Sequence, residues 1–371
     1  MDKEAFFGGT WCAAADWFGA HPECGGFRFR LWAPHARAVR LAGDFSGWEQ
    51  IPMQCADGVW ECFVPGAKDY DRYKFCLTRA DGRIVWKADP YAFHAATRPE
   101  TDSKLAPLDY DWQDDAWEKS LADKPLLTRP LNIYEVHPGS WRRYADGSPF
   151  NYRKLADELA KYVSDMGYTA VELMPVTEFD EIMMSSSGSS FHNAKQEPTG
   201  YLNYWGYGPS YLYAVKTAYA SRETMSAEGE FKTLVKELHK AGIECIPEMY
   251  FTGKELPGEI LSVLRYWVEE YHVDGFHLTG FPDLSLAAED PFLKRTKLFA
   301  ENWNDVMNRR PKQGYVTPGD GAVSVEEKNL AEYNMQFMED MRRFLKGDEG
   351  MLSAFELRNR RNPMEYAVIN Y

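Results

Sequence analysis

The chain has 371 residues, a length that suits two domains or one large barrel with an attachment. Charged residues make up 26% and the hydrophobic set 44%, proportions that exclude a disordered or fibrous chain. With 56 acidic against 42 basic residues, the formal charge of −14 repels phosphate backbones and anionic head groups, so neither nucleic acid nor a membrane surface is an expected partner.

Six cysteines, Cys12, Cys24, Cys55, Cys62, Cys76 and Cys245, form no CxxC pair and read as the free thiols of a reduced, cytoplasmic protein. Asp16 interrupts the apolar opening, unlike a secretory leader, and no later stretch reaches the length of a membrane span. Tryptophan (12), tyrosine (22) and phenylalanine (21) are frequent; their apolar faces and polar edges can stack on sugar rings as well as fill cores.

The first 112 residues read as a small β-sandwich. Phe27, Phe29 and Leu31 alternate with Arg28 and Arg30, and AVRLAGDFSGW, GVWECFVP and RYKFCL continue the short β-prone runs. Ala80, Asp81 and Gly82 should turn a hairpin between RYKFCL and RIVWK. From Asp111 the chain becomes polar and acidic, and with Pro125 and Pro130 following, residues 113–129 read as a linker.

Beyond residue 130 strands and helices alternate. NIYEVH is a strand, Tyr152 to Met166 a helix with Leu155, Leu159, Tyr162 and Met166 on one face, and TAVELMPV a second, apolar strand, which together make a βαβ unit. Ser226 is a candidate cap for a helix carrying Phe231, Leu234, Val235 and Leu238 and closing at Gly242. IECIPEMYF, a helix from Glu259 to Tyr271, GFHLTGF, a short helix from Asp290 to Arg295, and TKLFAE follow. Such repeats imply a doubly wound sheet or a (β/α)₈ barrel, and no GxGxxG opens a helix to favour a dinucleotide fold.

The strings IYEVHPGSW, ELMPVTEFDE, NYWGYGPSYLY, RYWVEEYHVDGF and AEYNMQFMEDMRRFLKGDEG resemble the debranching enzymes, of isoamylase and pullulanase type, in glycoside hydrolase family 13, the α-amylase family. The resemblance runs from Phe27 to Tyr371. It implies an immunoglobulin-like sandwich, a carbohydrate-binding module of family 48, followed from residue 130 by a (β/α)₈ TIM-type barrel. The family's last motif, a His-Asp pair, follows a string similar to VINY, and this chain stops at Tyr371. The barrel is therefore expected to be incomplete, with seven strands at most, and its exposed edges leave room for a protein partner.

Retaining glycosidases need two carboxyl groups, one as nucleophile and one as general acid/base. The resemblance puts the acid/base at Glu301 in KLFAENW. In GFHLT, however, the nucleophile position is Thr279 and the family's arginine position is His277. A neutral hydroxyl cannot steady an oxocarbenium ion, a loss worth roughly 10⁴-fold or more in rate. Asp274 and Asp283 are nearby carboxylates that could replace it only with a shifted backbone. In CIPEMYFTG the family's third-strand aspartate becomes Glu248, its asparagine Thr252 and its histidine Gly253. Pro247 removes a backbone donor from a strand expected to be central. The active-site loop that the family carries after Gly253 is cut to a handful of residues.

The module keeps what the barrel has lost. GDFSGW, YKF and WKADP match the family's glucan-binding pattern, so the resemblance assigns glycan contact to Trp48, Lys74 and Trp86, two indoles that stack on sugar faces and an ammonium that reaches a hydroxyl. Tyr207 in NYWGYGP aligns with a tyrosine that stacks under the sugar. No spacing suggests zinc, no acidic loop a calcium site, and no cofactor is expected. The reading is a cytoplasmic protein associated with α-glucan such as glycogen or starch, its hydrolytic chemistry degenerate; an active hydrolase on α-1,6 or α-1,4 bonds is the rival.

Overall fold

The structure is a computed structural model that describes residues 2–98, 100–122, 130–187, 195–221, 226–280, 282, 284–301, 329–333 and 335–347. After a short helix α1 (Lys3–Phe7), ten strands build the first unit: β1 (Gly19–Glu23), β2 (Gly26–Trp32), β3 (Ala38–Gly43), β4 (Ile51–Pro52), β5 (Gln54–Ala56), β6 (Val59–Pro65), β7 (Arg72–Thr78), β8 (Ile84–Lys87), β9 (His94–Ala95) and β10 (Ser103–Lys104). They form two antiparallel sheets, β1-β2-β6-β5 and β4-β3-β7-β10-β9, with β8 hydrogen-bonded to β7. Phe27, Phe29 and Leu31 of β2 meet Val39, Leu41, Tyr73 and Phe75 of the other sheet in one buried core. The alternating Arg28 and Arg30 point outward and pair with Glu61 at 2.9 and 2.5 Å. The hairpin reading holds, since Thr78 pairs with Ile84 across a turn closed by Arg79 N–H on the Arg83 carbonyl.

The second unit contains a wholly parallel sheet in the order β11 (Ile133–Val136), β12 (Ala170–Leu173), β17 (Glu244–Phe251), β18 (Gly275–Gly280), β19 (Lys297–Glu301) and β20 (Leu330–Tyr333). Between β12 and β17 the chain makes two antiparallel pairs, β13 (Thr177–Phe179) with β16 (Ser210–Val215) and β14 (Ile182–Ser187) with β15 (Lys195–Leu202). Helices α3 (Tyr152–Asp165), α4 (Ala227–Lys240), α5 (Pro257–Tyr271), α6 (Leu284–Glu289) and α7 (Met335–Lys346) complete it. Asn151 and Ser226 cap α3 and α4 through the amides of Lys154 and Gly229, at 2.9 and 2.8 Å.

The strands follow one another in chain order, and their two faces differ. Leu155, Leu159, Phe231, Leu234, Val263 and Trp267, from α3, α4 and α5, pack with Val171, Cys245, Phe276 and Leu298 on one face. Ala170, Ile246, Phe299 and Ala331 form a separate cluster on the other, where the described residues place no helix. A doubly wound sheet carries helices on both faces, whereas sequential order with helices on one side is the layering of a (β/α) barrel. The described residues contribute six parallel strands, within the seven at most that the sequence leads one to expect, and no ladder joins β20 to β11. β17 is central, as expected: it lies between β12 and β18 and runs from Glu244 to Phe251 with Pro247 buried within it.

The segment read as a linker contains helix α2 (Asp115–Ala122), which is docked rather than free. The Trp117 indole donates to Asp274 Oδ1 at 2.9 Å and stacks on His239 at 4.9 Å. The sandwich meets the parallel-sheet unit through Phe93 stacked on Tyr266 at 5.1 Å, Tyr91 on Tyr213 at 5.6 Å, and His94 beside Glu228 at 2.5 Å. Among the described residues no helix is long and apolar enough to cross a membrane.

Candidate functional site

Alternation along the parallel strands decides what faces the helix-free side. Ala170 and Ile246 lie there, so Glu172, Glu248, His277 and Thr279, each an even number of residues along its strand or in register with such a residue, share that face. His277 Nδ1 stands 2.7 Å from Glu172 Oε1, and the Tyr333 hydroxyl donates to Glu172 Oε2. The Tyr207 hydroxyl donates to Glu248 Oε2 at 3.0 Å. The Thr279 hydroxyl donates to the Met249 carbonyl at 3.4 Å and lies close enough to act on the Glu248 carboxylate. The three titratable side chains are buried, Glu172 to 4% exposure, Glu248 to 2% and His277 to 5%.

Burial pushes the Glu248 carboxyl up to about 7, and the nearby Glu172 adds to the rise, while His277 and the Tyr207 and Thr279 hydroxyls pull the other way. Glu248 therefore holds a proton up to near-neutral pH. Its partner positions on β18 are those where the resemblance leads one to expect an arginine and a nucleophilic carboxylate, and they carry an imidazole and an alcohol. Glu301 ends β19, its backbone paired with Tyr333; its side chain lies outside the described residues. Asp283 lies outside them as well. Asp274 does not replace the nucleophile: it sits at the opposite end of β18, where its oxygens accept from Trp117, His239 and the Cys245 amide.

The segment that carries Tyr207 is rich in exposed aromatic side chains. Tyr207 is 41% exposed, and Tyr204, Trp205 and Tyr201 are exposed beside it. His137, after β11, anchors this segment through the Tyr204 carbonyl at 3.0 Å and touches the Trp205 ring edge-on. The shortened loop after β17 is tied off internally, since Glu255 accepts from the amides of Thr252, Gly253 and Lys254 and from the Thr252 hydroxyl. Nothing in the sequence reading singled out Glu172 or Tyr333. The available signal was a lone acid inside the apolar run TAVELMPV, which an inward-facing position requires to have a partner.

The sandwich presents a second candidate surface. Trp86 pairs directly with Cys76 on β7, so it shares that strand's outer face with Lys74 two residues away, while Tyr73 and Phe75 point into the core. Trp86 is 45% exposed. Lys74 is held by Asp102 at 2.8 Å and Thr101 at 2.7 Å. Trp48 follows β3 with a positive φ of 67°, its indole donating to Asp44 at 2.9 Å and facing the Arg72 guanidinium at 5.9 Å.

Comparison with known proteins agrees with this division. Residues 17–92 match the family described as carbohydrate-binding module 48 (isoamylase N-terminal domain). Over 311 residues the chain is 40% identical to the 1,4-alpha-glucan branching enzyme GlgB of Nitratidesulfovibrio vulgaris, covering 70% of this chain and 44% of that protein. It is 33% identical over 307 residues to 1,4-alpha-glucan branching enzyme GlgB 1 of Streptomyces coelicolor, covering 70% of this chain and 36% of the relative. The chain thus spans less than half the length of these relatives. A solved structure described as an alpha amylase from Salmonella typhimurium superposes with a TM-score of 0.59 over 90% of this chain and 56% of its own, at 21% identity, a likeness of fold. The named relatives are branching enzymes, where the motifs suggest debranching ones.

Proposed function

We propose that this protein binds α-glucan through its N-terminal sandwich and does not itself cleave glucosidic bonds. The sandwich is read as residues 1–112 and the parallel-sheet unit as residues from 130 onward, working in the cytoplasm. Binding is supported by the match of residues 17–92 to a carbohydrate-binding module and by the glucan chemistry named for the relatives. The observation that carries the reading is the open outer face of β7 and β8, where an indole and an ammonium stand on one side of the sheet with Trp48 on the neighbouring loop. Stacking is the means by which a protein holds a sugar that offers no charge.

Loss of cleavage is supported by Thr279 and His277. A retaining mechanism needs two carboxyl groups flanking the bond, and the second has become an alcohol. Glu172 and Glu248 are a poor substitute, because both oxygens of Glu172 are already engaged by His277 and Tyr333. Hydrolysis or branch transfer led by Glu301 is the rival, and its signature would be activity that disappears in Glu301→Gln. Affinity electrophoresis in glycogen gels tests the binding half: the purified chain should be retarded, and Trp48→Ala with Trp86→Ala should migrate as in glycogen-free gel. Equal mobility of the unmodified protein with and without glycogen overturns it.

A further inference from the structure

We infer that Glu172, Glu248 and His277 form a binding site for a divalent first-row cation such as Zn²⁺ or Mn²⁺. Each residue offers one ligand atom, and these atoms lie within 4.8 Å of one another. They come from β12, β17 and β18, three neighbouring strands whose backbone is fixed by the parallel ladder. Ligands about 2.0–2.2 Å from a tetrahedral ion stand about 3.3–3.6 Å apart, so inward movement of the side chains by up to about an ångström closes the site.

Charge supports the assignment independently of distance. Two carboxyl groups stand together in a buried setting, an arrangement whose ionised form a bound cation would stabilise. Among the described residues no lysine or arginine makes an ion pair with either. The group aimed at both is the imidazole of His277, itself more than nine-tenths buried, and an imidazole joined to two carboxylates is a donor set for zinc, manganese or ferrous iron more than for calcium. The outer oxygens of the carboxylates accept from Tyr333 and Tyr207, the support that ligating carboxylates ordinarily have.

The full chain, dialysed against chelator, should be titrated with Zn²⁺ and with Mn²⁺ by calorimetry. One saturable equivalent is expected for at least one of the two, abolished in Glu172→Gln and in His277→Gln, and weakened about 10- to 100-fold in Tyr333→Phe. The His272→Gln variant separates the result from the group Asp114, Glu118 and His272 near α2, which could also take an ion. Should the Glu172 or His277 variants fail to fold, broadening of histidine ring protons by Mn²⁺ in the unmodified protein decides: the His277 ring must broaden first. Absence of saturable binding, binding that survives Glu172→Gln in a folded protein, or broadening confined to His272 overturns the assignment.

Discussion

His277 reaches past the intervening strand: its Nδ1 lies 2.7 Å from Oε1 of Glu172, although the two residues belong to β18 and β12 with β17 between them. Strands stand about 4.8 Å apart, so backbones two strands away are roughly 10 Å apart. The side chains of His277 and Glu172 span that gap over β17. The position where the resemblance leads one to expect an arginine is thus absorbed into an internal network, and its imidazole is committed to a carboxylate rather than to a sugar.

Restoring a carboxylate at the nucleophile position should therefore not restore cleavage. In Thr279→Asp, release of reducing ends from glycogen, pullulan and amylopectin is expected to stay at background. The new charge would join Glu248 and Glu172 on one face of the sheet, so the variant should melt a few degrees lower than the unmodified protein at mildly alkaline pH. A scan of melting temperature beside the sugar assay checks both.

A buried ion pair next to the sheet should be among the most sensitive points of the fold. Lys216 Nζ donates to Glu178 Oε1 at 2.8 Å and to the Phe179 carbonyl at 3.0 Å, and both charged side chains are at most 1% exposed. Lys216→Met leaves Glu178 charged and buried with only Thr217 and the Arg98 guanidinium near it. The expected cost is about 3–5 kcal/mol, measured by urea unfolding.

The docked helix α2 should make stability depend on pH. Burial disfavours a charged His239, but Asp274 and Asp114, at 3.1 and 3.2 Å, outweigh it and hold the imidazole above its ordinary value of 6.5. Asp114 is depressed below 3.8: burial opposes the charge, and the His272 and His239 rings more than offset that. Trp117 stacks on the His239 ring, and the Cys245 amide shares Asp274. The histidine contribution is complete below about pH 6.5 and fades as pH rises through the raised value. The Asp114 contribution is present above 3.8 and fades in stronger acid. Melting temperature should therefore crest between these limits, and His239→Gln should flatten the fall on the alkaline side.

Removing the indole that pins α2 should loosen the segment without unfolding the sheet. Trp117→Ala loses the bond to Asp274 and the stack on His239. Limited trypsin digestion should then cut faster at Lys119, by about tenfold, while the far-ultraviolet spectrum stays unchanged.

Local pattern carried much of the fold. The alternation at Phe27, Phe29 and Leu31, the cap at Ser226 and the apolar face of α4 each follow from nearest-neighbour physics, and each appears where the residues indicate. What pattern could not supply was long-range pairing. Glu172 looked like one acid in an apolar strand because its partners lie 105 and 161 residues away. The donor that Pro247 lacks is visible in the sequence, whereas the buried neighbours that hold β17 in place around it are not. Acidic composition suggested a free linker, whereas Asp114 and Trp117 are bound by residues from α4 and β18. At the candidate site the altered residues were legible one by one; their mutual engagement was not.

The most direct test incubates purified protein with glycogen and with amylose and compares chain-length profiles after complete debranching, alongside Glu301→Gln. The account predicts profiles indistinguishable from protein-free controls even where the glucan retards the protein in a gel. New branches or shortened chains that vanish in Glu301→Gln would contradict it and make the parallel-sheet unit a working glucan enzyme.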